Sequence, residues 1–249
     1  MPVMQKPMKY AFALVALFLA HAGLAPGVEA GGAKSPVVVE LFTSQGCSSC
    51  PPAEAFLGEL ADRSDVIALE LHVDYWDYIG WKDPFAAHAY VERQRSYSGN
   101  LGGRYVYTPQ MVIGGRTHAV GSDRGQVEAA IKSVHEQMTP GPSLALSRNG
   151  DNVQVRIGES ASGESFDIFF MTYDAEHATK IQRGENRGMT LVNKNIVRGL
   201  ERVGSWAGKP LDLTVSLAGK KGDGGCAVLI QKRDAGPILA AASLQFSAP

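Results

Sequence analysis

The residues with the clearest capacity for chemistry are Cys47 and Cys50, held in Cys47-Ser48-Ser49-Cys50. At this spacing the two thiols can close a disulfide, and a pair that alternates between thiol and disulfide can exchange with sulfur on another molecule. Their setting favours that use. Val37-Val38-Val39-Glu40-Leu41-Phe42 leads in as an apolar, β-branched run, which predicts a strand. Pro51 and Pro52 follow, suited to a first helical turn, where backbone N–H groups have no partner to lose. Cys47 is expected at or just before the helix N-terminus, where free N–H groups and the macrodipole favour a thiolate. It is the expected attacking thiol, and Cys50, shielded by the helix, the resolving one. A disulfide that only stapled this loop would add little, because closure entropy is small for a short loop.

Other groups invite weaker readings. Glu70, His72 and Asp74 alternate along a second apolar run and could suggest a metal site, but no further His or Cys cluster at ligand spacing supports one. A hydrogen-bonded strand end is the reading preferred, and no cofactor is expected. Trp76, Tyr78 and Trp81 either line a peptide-binding surface near the cysteines or fill a contact between domains. Cys226 stands in Gly225-Cys226-Ala227-Val228-Leu229-Ile230 and reads as a buried thiol. Arg183, Glu185, Asn186 and Arg187, interrupted by Gly184 and Gly188, form a polar cluster that is either a salt-bridge network or a ligand contact.

The elements that must position these groups alternate at first. After the strand and the helix, about Pro51 to Arg63, Val66 to Val73 reads as a strand covered on both faces. The three make a βαβ unit, expected parallel and right-handed. Pro84 to Tyr97 is helical by composition. Tyr107 to Ile113 turns into a strand, Gly114-Gly115 makes a hairpin, and a strand from about Arg116 to Val120 follows. Gln126 to Met138 is a helix with Ser122 or Asp123 available as its cap. Beyond Pro140-Gly141-Pro142 the composition changes. Two alternating strands flank Asn149-Gly150, and further strands are expected at Phe166 to Tyr173, Leu191 to Val203, Leu211 to Leu217, Cys226 to Gln231 and Leu239 to Phe246. The expected organisation is an α/β domain over residues 35–140 and a smaller all-β, sandwich-like domain over residues 143–249. The stiff linker predicts that the second packs on the first.

Residues 1–30 read as a signal peptide. Lys6 and Lys9 precede an apolar stretch, Tyr10 to Ala20, and small residues surround a cleavage point after Ala30. A periplasmic or secreted protein is expected, without stable membrane insertion after cleavage, in a compartment where disulfides persist. Charge is balanced, with 24 Lys and Arg against 25 Asp and Glu and no basic stripe, so nucleic acid is not an expected partner.

Three features together resemble the thioredoxin fold: Cys47-Ser48-Ser49-Cys50 between strand and helix, Thr108-Pro109 just before a strand, and the β-α-β-α-β-β-α order. The whole chain resembles the exported proteins of domain-of-unknown-function family 1223. The shared segments are VELFTSQGCSSCPPA, VDYWDYIGWKDPFA, YTPQMVIGG and RGENRGMTLVNKNIVRGL. The resemblance implies a thioredoxin-like domain with a β-rich extension. It implies a cis-proline, Pro109, facing the disulfide, with Thr108 free to pair with substrate backbone beside Trp76. It also implies that Glu40 is a buried acid behind Cys50, able to accept its proton; read from the residues alone, Glu40 is equally a carboxylate satisfied by backbone or Arg contacts. The expected function is thiol–disulfide exchange with protein thiols or disulfides. The alternative is a non-enzymatic binding module for a protein partner or a soft metal ion such as Cu(I), which two thiolates could hold.

Overall fold

The computed structural model describes Met1, residues 34–161 and residues 163–246. The expected signal peptide, residues 1–30, lies outside them but for Met1. The first half runs β1 (Val37–Thr43), α1 (Pro51–Ala61), β2 (Val66–His72), a 3-10 turn (Asp74–Ile79), α2 (His88–Asn100), β3 (Gln110–Ile113), β4 (Thr117–Val120) and α3 (Arg124–Gln137). The second half runs β5 (Leu144–Asn149), β6 (Asn152–Ile157), β7 (Phe166–Lys180), β8 (Thr190–Trp206), β9 (Leu211–Ser216), β10 (Gly225–Lys232) and β11 (Ile238–Gln245).

The expected fold class, a thioredoxin-like α/β domain followed by a small all-β sandwich, is corrected by the sheet topology. One mixed sheet of eight strands has the order β11-β10-β7-β8-β2-β1-β3-β4. It therefore draws four strands from each half of the chain. Only β5, β6 and β9 form a separate three-stranded sheet. The join is the parallel pairing of β2 with β8 at Glu70 and Ile196. The strands themselves were readable from their apolar runs, but a run buried on both faces does not say which neighbour it pairs with.

Alternation sorts the side chains of this sheet into two faces. Val38 and Phe42 of β1 pack with Tyr90, Val91 and Tyr97 of α2, and also with Ala227 and Leu229 of β10. Val37, Val39 and Leu41 point the other way, onto Phe56, Leu57 and Leu60 of α1 and Val127 and Ile131 of α3. Further along that second face, Phe166, Ile168, Phe170, Val228 and Ile230 meet Val153, Val155 and Ile157 of the small sheet. Helix α2 thus bridges both halves on one face. On the other, α1 and α3 cover one half and the small sheet covers the remainder. Helix α3 starts at Arg124, two residues before the expected Gln126, and of the two candidate caps Asp123 is used, its side chain accepting from the Gln126 N–H at 3.0 Å.

Beyond Asp174 and Ile196, β7 and β8 leave the large sheet but stay paired, from Glu176–Lys194 to Lys180–Thr190. Asn195 takes a left-handed φ of 50°, and its side chain donates to the Ala68 carbonyl at 3.0 Å. From this point the hairpin crosses α1, with Lys194 against Gly58. Its tip, residues 181–189, reaches the loop that carries the cysteines.

Candidate functional site

The cysteine loop lies between the end of β1 and the start of α1. Cys47 and Cys50 are joined as a disulfide. Cys50 is the N-cap of α1, and its carbonyl accepts from Ala53 and Glu54 N–H at 2.9 and 3.1 Å. Pro51 and Pro52 hold the first two helical positions. Cys47 is just before the helix, as its spacing implied. Both sulfurs are shielded: Cys47 is 1% exposed and Cys50 0%, while Ser48 and Ser49 between them face solvent.

Two walls enclose the loop. On one side stands Thr108, whose peptide bond to Pro109 is cis. Its hydroxyl accepts from the Trp76 indole N–H at 2.7 Å and donates to Cys47 Sγ at 3.3 Å. The structure thus brings Trp76, Thr108, Pro109 and Cys47 together. Trp76 stacks on Tyr78, which is exposed. On the other side is the β7–β8 tip. Asn186 is buried and donates to the carbonyls of Gln45 and Cys47, at 2.9 and 3.0 Å. Glu185 accepts from the Ser48 N–H at 3.3 Å. The polar cluster around Gly184 and Gly188 is therefore part of the cysteine site.

Glu40 is placed elsewhere. It shares the α2 face with Val38 and Phe42, across the sheet from α1. There it is buried against Arg93, with oxygens 2.5 Å from Nε and 3.0 Å from Nη2, and it accepts from the Tyr97 hydroxyl. Arg93 also donates to Gln231 of β10 at 3.1 Å, so the group ties α2 to both halves of the sheet.

A second buried polar group lies beneath the cysteine loop. Glu54, one turn beyond Cys50, accepts from the Thr43 hydroxyl at 2.7 Å. Burial first, then the neighbouring Glu70, pushes its carboxyl up to about 8. His72 Nδ1 is 2.7 Å from Asp83, and its Nε2 is 3.4 Å from Glu70. Burial alone would disfavour the imidazolium, but the Asp83 and Glu70 carboxylates raise His72 well above its ordinary value. Asp83 is moved the other way: burial would raise it, yet His72 brings it below the usual carboxylate range. Gln45 links these groups to the loop. Its N–H donates to Asp83 at 2.8 Å, its amide donates to Asn193 at 3.2 Å and accepts from Trp81 at 3.1 Å, and Asn193 donates to Glu70 at 2.7 Å.

Of the residues weighed as a metal set, Glu70 and His72 do share a face, but Asp74 does not join them. The strand ends at His72, the alternation stops there, and Asp74 turns to His88 at 3.1 Å. Among the described residues, no group of three or more His, Cys, Asp or Glu is arranged to hold a metal ion. Cys226 is a free, buried thiol, and burial pushes it up to about 12. A cavity of about 510 Å³ bordered by Phe170, Thr172, Arg198 and Lys220 includes none of the cysteine-site groups. Glu54 was open to reading as the acid one turn past Cys50, but as a first-turn carboxylate it resembled any helix-start acid. Gln45, Asp83 and Asn193 carried no local signal, and Asn186 was visible only as one member of a polar cluster without an assigned partner.

A family model described as "Protein of unknown function (DUF1223)" matches residues 38–231, which contain every group named in this site. The chain belongs to the DUF1223 family. It is also similar to a protein from Agrobacterium tumefaciens with an X-ray crystal structure. Identity is 31% and the TM-score 0.76, over 87% of this chain and 97% of that one. No curated protein matches.

Proposed function

We propose that this DUF1223 protein is an exported thiol–disulfide exchanger acting through Cys47 and Cys50. The observation that carries the reading is the Thr108 hydroxyl, oriented by Trp76 and donating to Cys47 Sγ at 3.3 Å. A hydrogen bond to sulfur favours its thiolate, the form that attacks. The local grouping of Cys47, Cys50, Thr108 and Pro109 is similar to that of thioredoxin-like oxidoreductases.

In the reduced protein the Cys47 thiolate attacks one sulfur of a partner protein's disulfide. A Cys47–partner disulfide forms, and the other partner sulfur leaves as a thiolate. Cys50, deprotonated, then attacks Cys47 Sγ. The Cys47–Cys50 disulfide closes and the second partner thiolate is released. Two electrons pass from the protein dithiol to the partner disulfide, and the reverse sequence oxidises a partner dithiol. Glu54, one turn along the helix from Cys50, takes in its ionised form the proton that Cys50 gives up, a form that grows as pH rises toward about 8. The basic and apolar order of residues 1–30 supports export, so the exchange is proposed to take place in the periplasm or outside the cell.

Expression of Cys50→Ser tests this. Attack survives and resolution does not, so a mixed disulfide between Cys47 and a partner accumulates. Absence of that adduct, or full exchange activity in Cys47→Ser, overturns the proposal. The burial of both sulfurs favours a second reading, a disulfide that only braces the loop. On that reading, removal of both cysteines lowers stability and no adduct forms.

A further inference from the structure

We infer that the β7–β8 tip, residues 181–189, is a closure over the Cys47–Cys50 disulfide, held chiefly by Asn186, that excludes small thiols and must be displaced by any partner that exchanges with Cys47. The inference rests on the exchange reading and adds to it a residue that decides access.

Exchange requires a thiolate to reach one sulfur of a disulfide, so access sets the rate. Here neither cysteine is reachable in the closed arrangement. The walls around them differ in construction. Thr108 precedes β3, inside the large sheet. The tip lies at the end of a hairpin whose outer part has left that sheet, and such segments open at low free energy. It is compact in itself. Ile181 and Met189 pair through the Ile181 N–H at 2.9 Å, and Gly188 N–H donates to the Ile181 carbonyl at 2.9 Å. Gly184 and Gly188 take left-handed φ values of 75° and 89°, which let the chain fold back within the tip. The tip can therefore lift as a unit.

Its attachment to the cysteine loop is short and specific. Asn186 uses both N–H donors on main-chain carbonyls, one of them that of Cys47 itself, and Glu185 takes the Ser48 N–H. Gly184 rests against Trp81, where an added Cβ would come within 3.3 Å of the Trp81 Cβ. Every hydrogen bond in this attachment involves the loop's main chain, so a partner strand offering donors of its own can replace Asn186, whereas a small thiol cannot.

The closure is tested on the oxidised full chain with excess dithiothreitol. One dithiothreitol thiolate opens the disulfide, the second closes the reagent's ring and releases both cysteines, and alkylation followed by mass measurement counts them. Wild type is expected to be reduced about a hundredfold or more slower than the same chain in urea. Asn186→Ala, which loses two hydrogen bonds, should be reduced on the order of tenfold faster than wild type. Glu185→Ala, a change at an exposed side chain that leaves folding intact, should be reduced a fewfold faster. Arg93→Ala, which weakens the fold far from the tip, should leave the native-state rate unchanged. Wild type reduced as fast as the chain in urea overturns the closure. So do equal rates in wild type, Asn186→Ala and Glu185→Ala, and so does acceleration by Arg93→Ala equal to that by Asn186→Ala, which would assign access to global unfolding. None of these rates depends on a protein partner, so failure of the exchange reading registers separately, as absence of the Cys47 adduct.

Discussion

Glu54 stands one helical turn beyond Cys50, with its backbone N–H on the Cys50 carbonyl at 3.1 Å and its side chain buried against Thr43. Burial and the nearby Glu70 favour the neutral acid, so the carboxyl titrates at about 8 in place of 4.5. The folded-state pKa is the raised one. The stability that the neutral acid contributes is therefore complete below pH 4.5 and is lost as pH rises through about 8. Glu54→Gln cannot ionise. Urea unfolding at about pH 5 and about pH 9 should show wild type losing stability relative to the variant across that interval. Exchange should also lose its inflection near pH 8 in the variant. A stability difference that is the same at both pH values would count against the assignment.

Arg93 and Glu40 are both buried, and the pair also engages Tyr97 and Gln231. Arg93→Ala leaves a buried carboxylate without its cation, a loss of about 3–5 kcal/mol. Denaturant unfolding should show that decrease. Neither Arg93 nor Glu40 hydrogen-bonds to a cysteine-site group, so exchange per folded molecule should be unchanged. A decrease within error of zero would mean that Glu40 is neutral or finds another partner.

The pairing of β2 with β8 makes the two halves of the chain depend on each other. A fragment ending near Pro142 would expose the edge of β2 and strip Met171, Val197, Ala227 and Leu229 from the α2 face. It is expected to fail to fold, and the full chain to unfold in one transition followed alike by tryptophan fluorescence and circular dichroism. Two separated transitions would contradict this dependence.

How far the sequence could be read follows from what each signal contains. Apolar runs and Pro or Gly punctuation located the strands of both halves, and Pro51-Pro52 marked the start of α1. The partners of those strands were hidden. Phe166 to Tyr173 alternates faces in a way that suits a sandwich strand, yet β7 joins the large sheet and continues to Lys180, because β8 runs beside it out to Thr190. Cys47, Cys50, Thr108, Pro109 and Trp76 were legible as one site through the resemblance to the thioredoxin fold, which sets a Thr-Pro pair against a Cys-x-x-Cys loop; composition alone would not have joined them. Glu40 was left between a proton acceptor and an Arg-paired carboxylate, because a carboxylate in an apolar strand announces burial but not the face it points to; Arg93 decides for the second. Asn186 was 139 residues from the carbonyl it binds. No local pattern reports such a contact.

Thr108 hydroxyl geometry leads to a further expectation. The hydroxyl accepts from Trp76, so its own hydrogen is left to point at Cys47 Sγ. In the reduced protein that donor stabilises the thiolate over the thiol, and its removal should raise the Cys47 pKa. One hydrogen bond lost corresponds to on the order of 1 kcal/mol, about a fivefold smaller thiolate fraction near neutral pH. Thiolate ultraviolet absorbance measures this without needing reagent access, which the β7–β8 tip would limit. Cys226 adds nothing to the signal there, because burial pushes it up to about 12. Thr108→Val should shift the titration of Cys47 upward, and Trp76→Phe should shift it the same way by less, since the freed hydroxyl can still rotate toward sulfur. A curve identical in wild type and Thr108→Val would mean that the hydroxyl does not stabilise the thiolate, and the exchange proposal would lose the contact on which it rests.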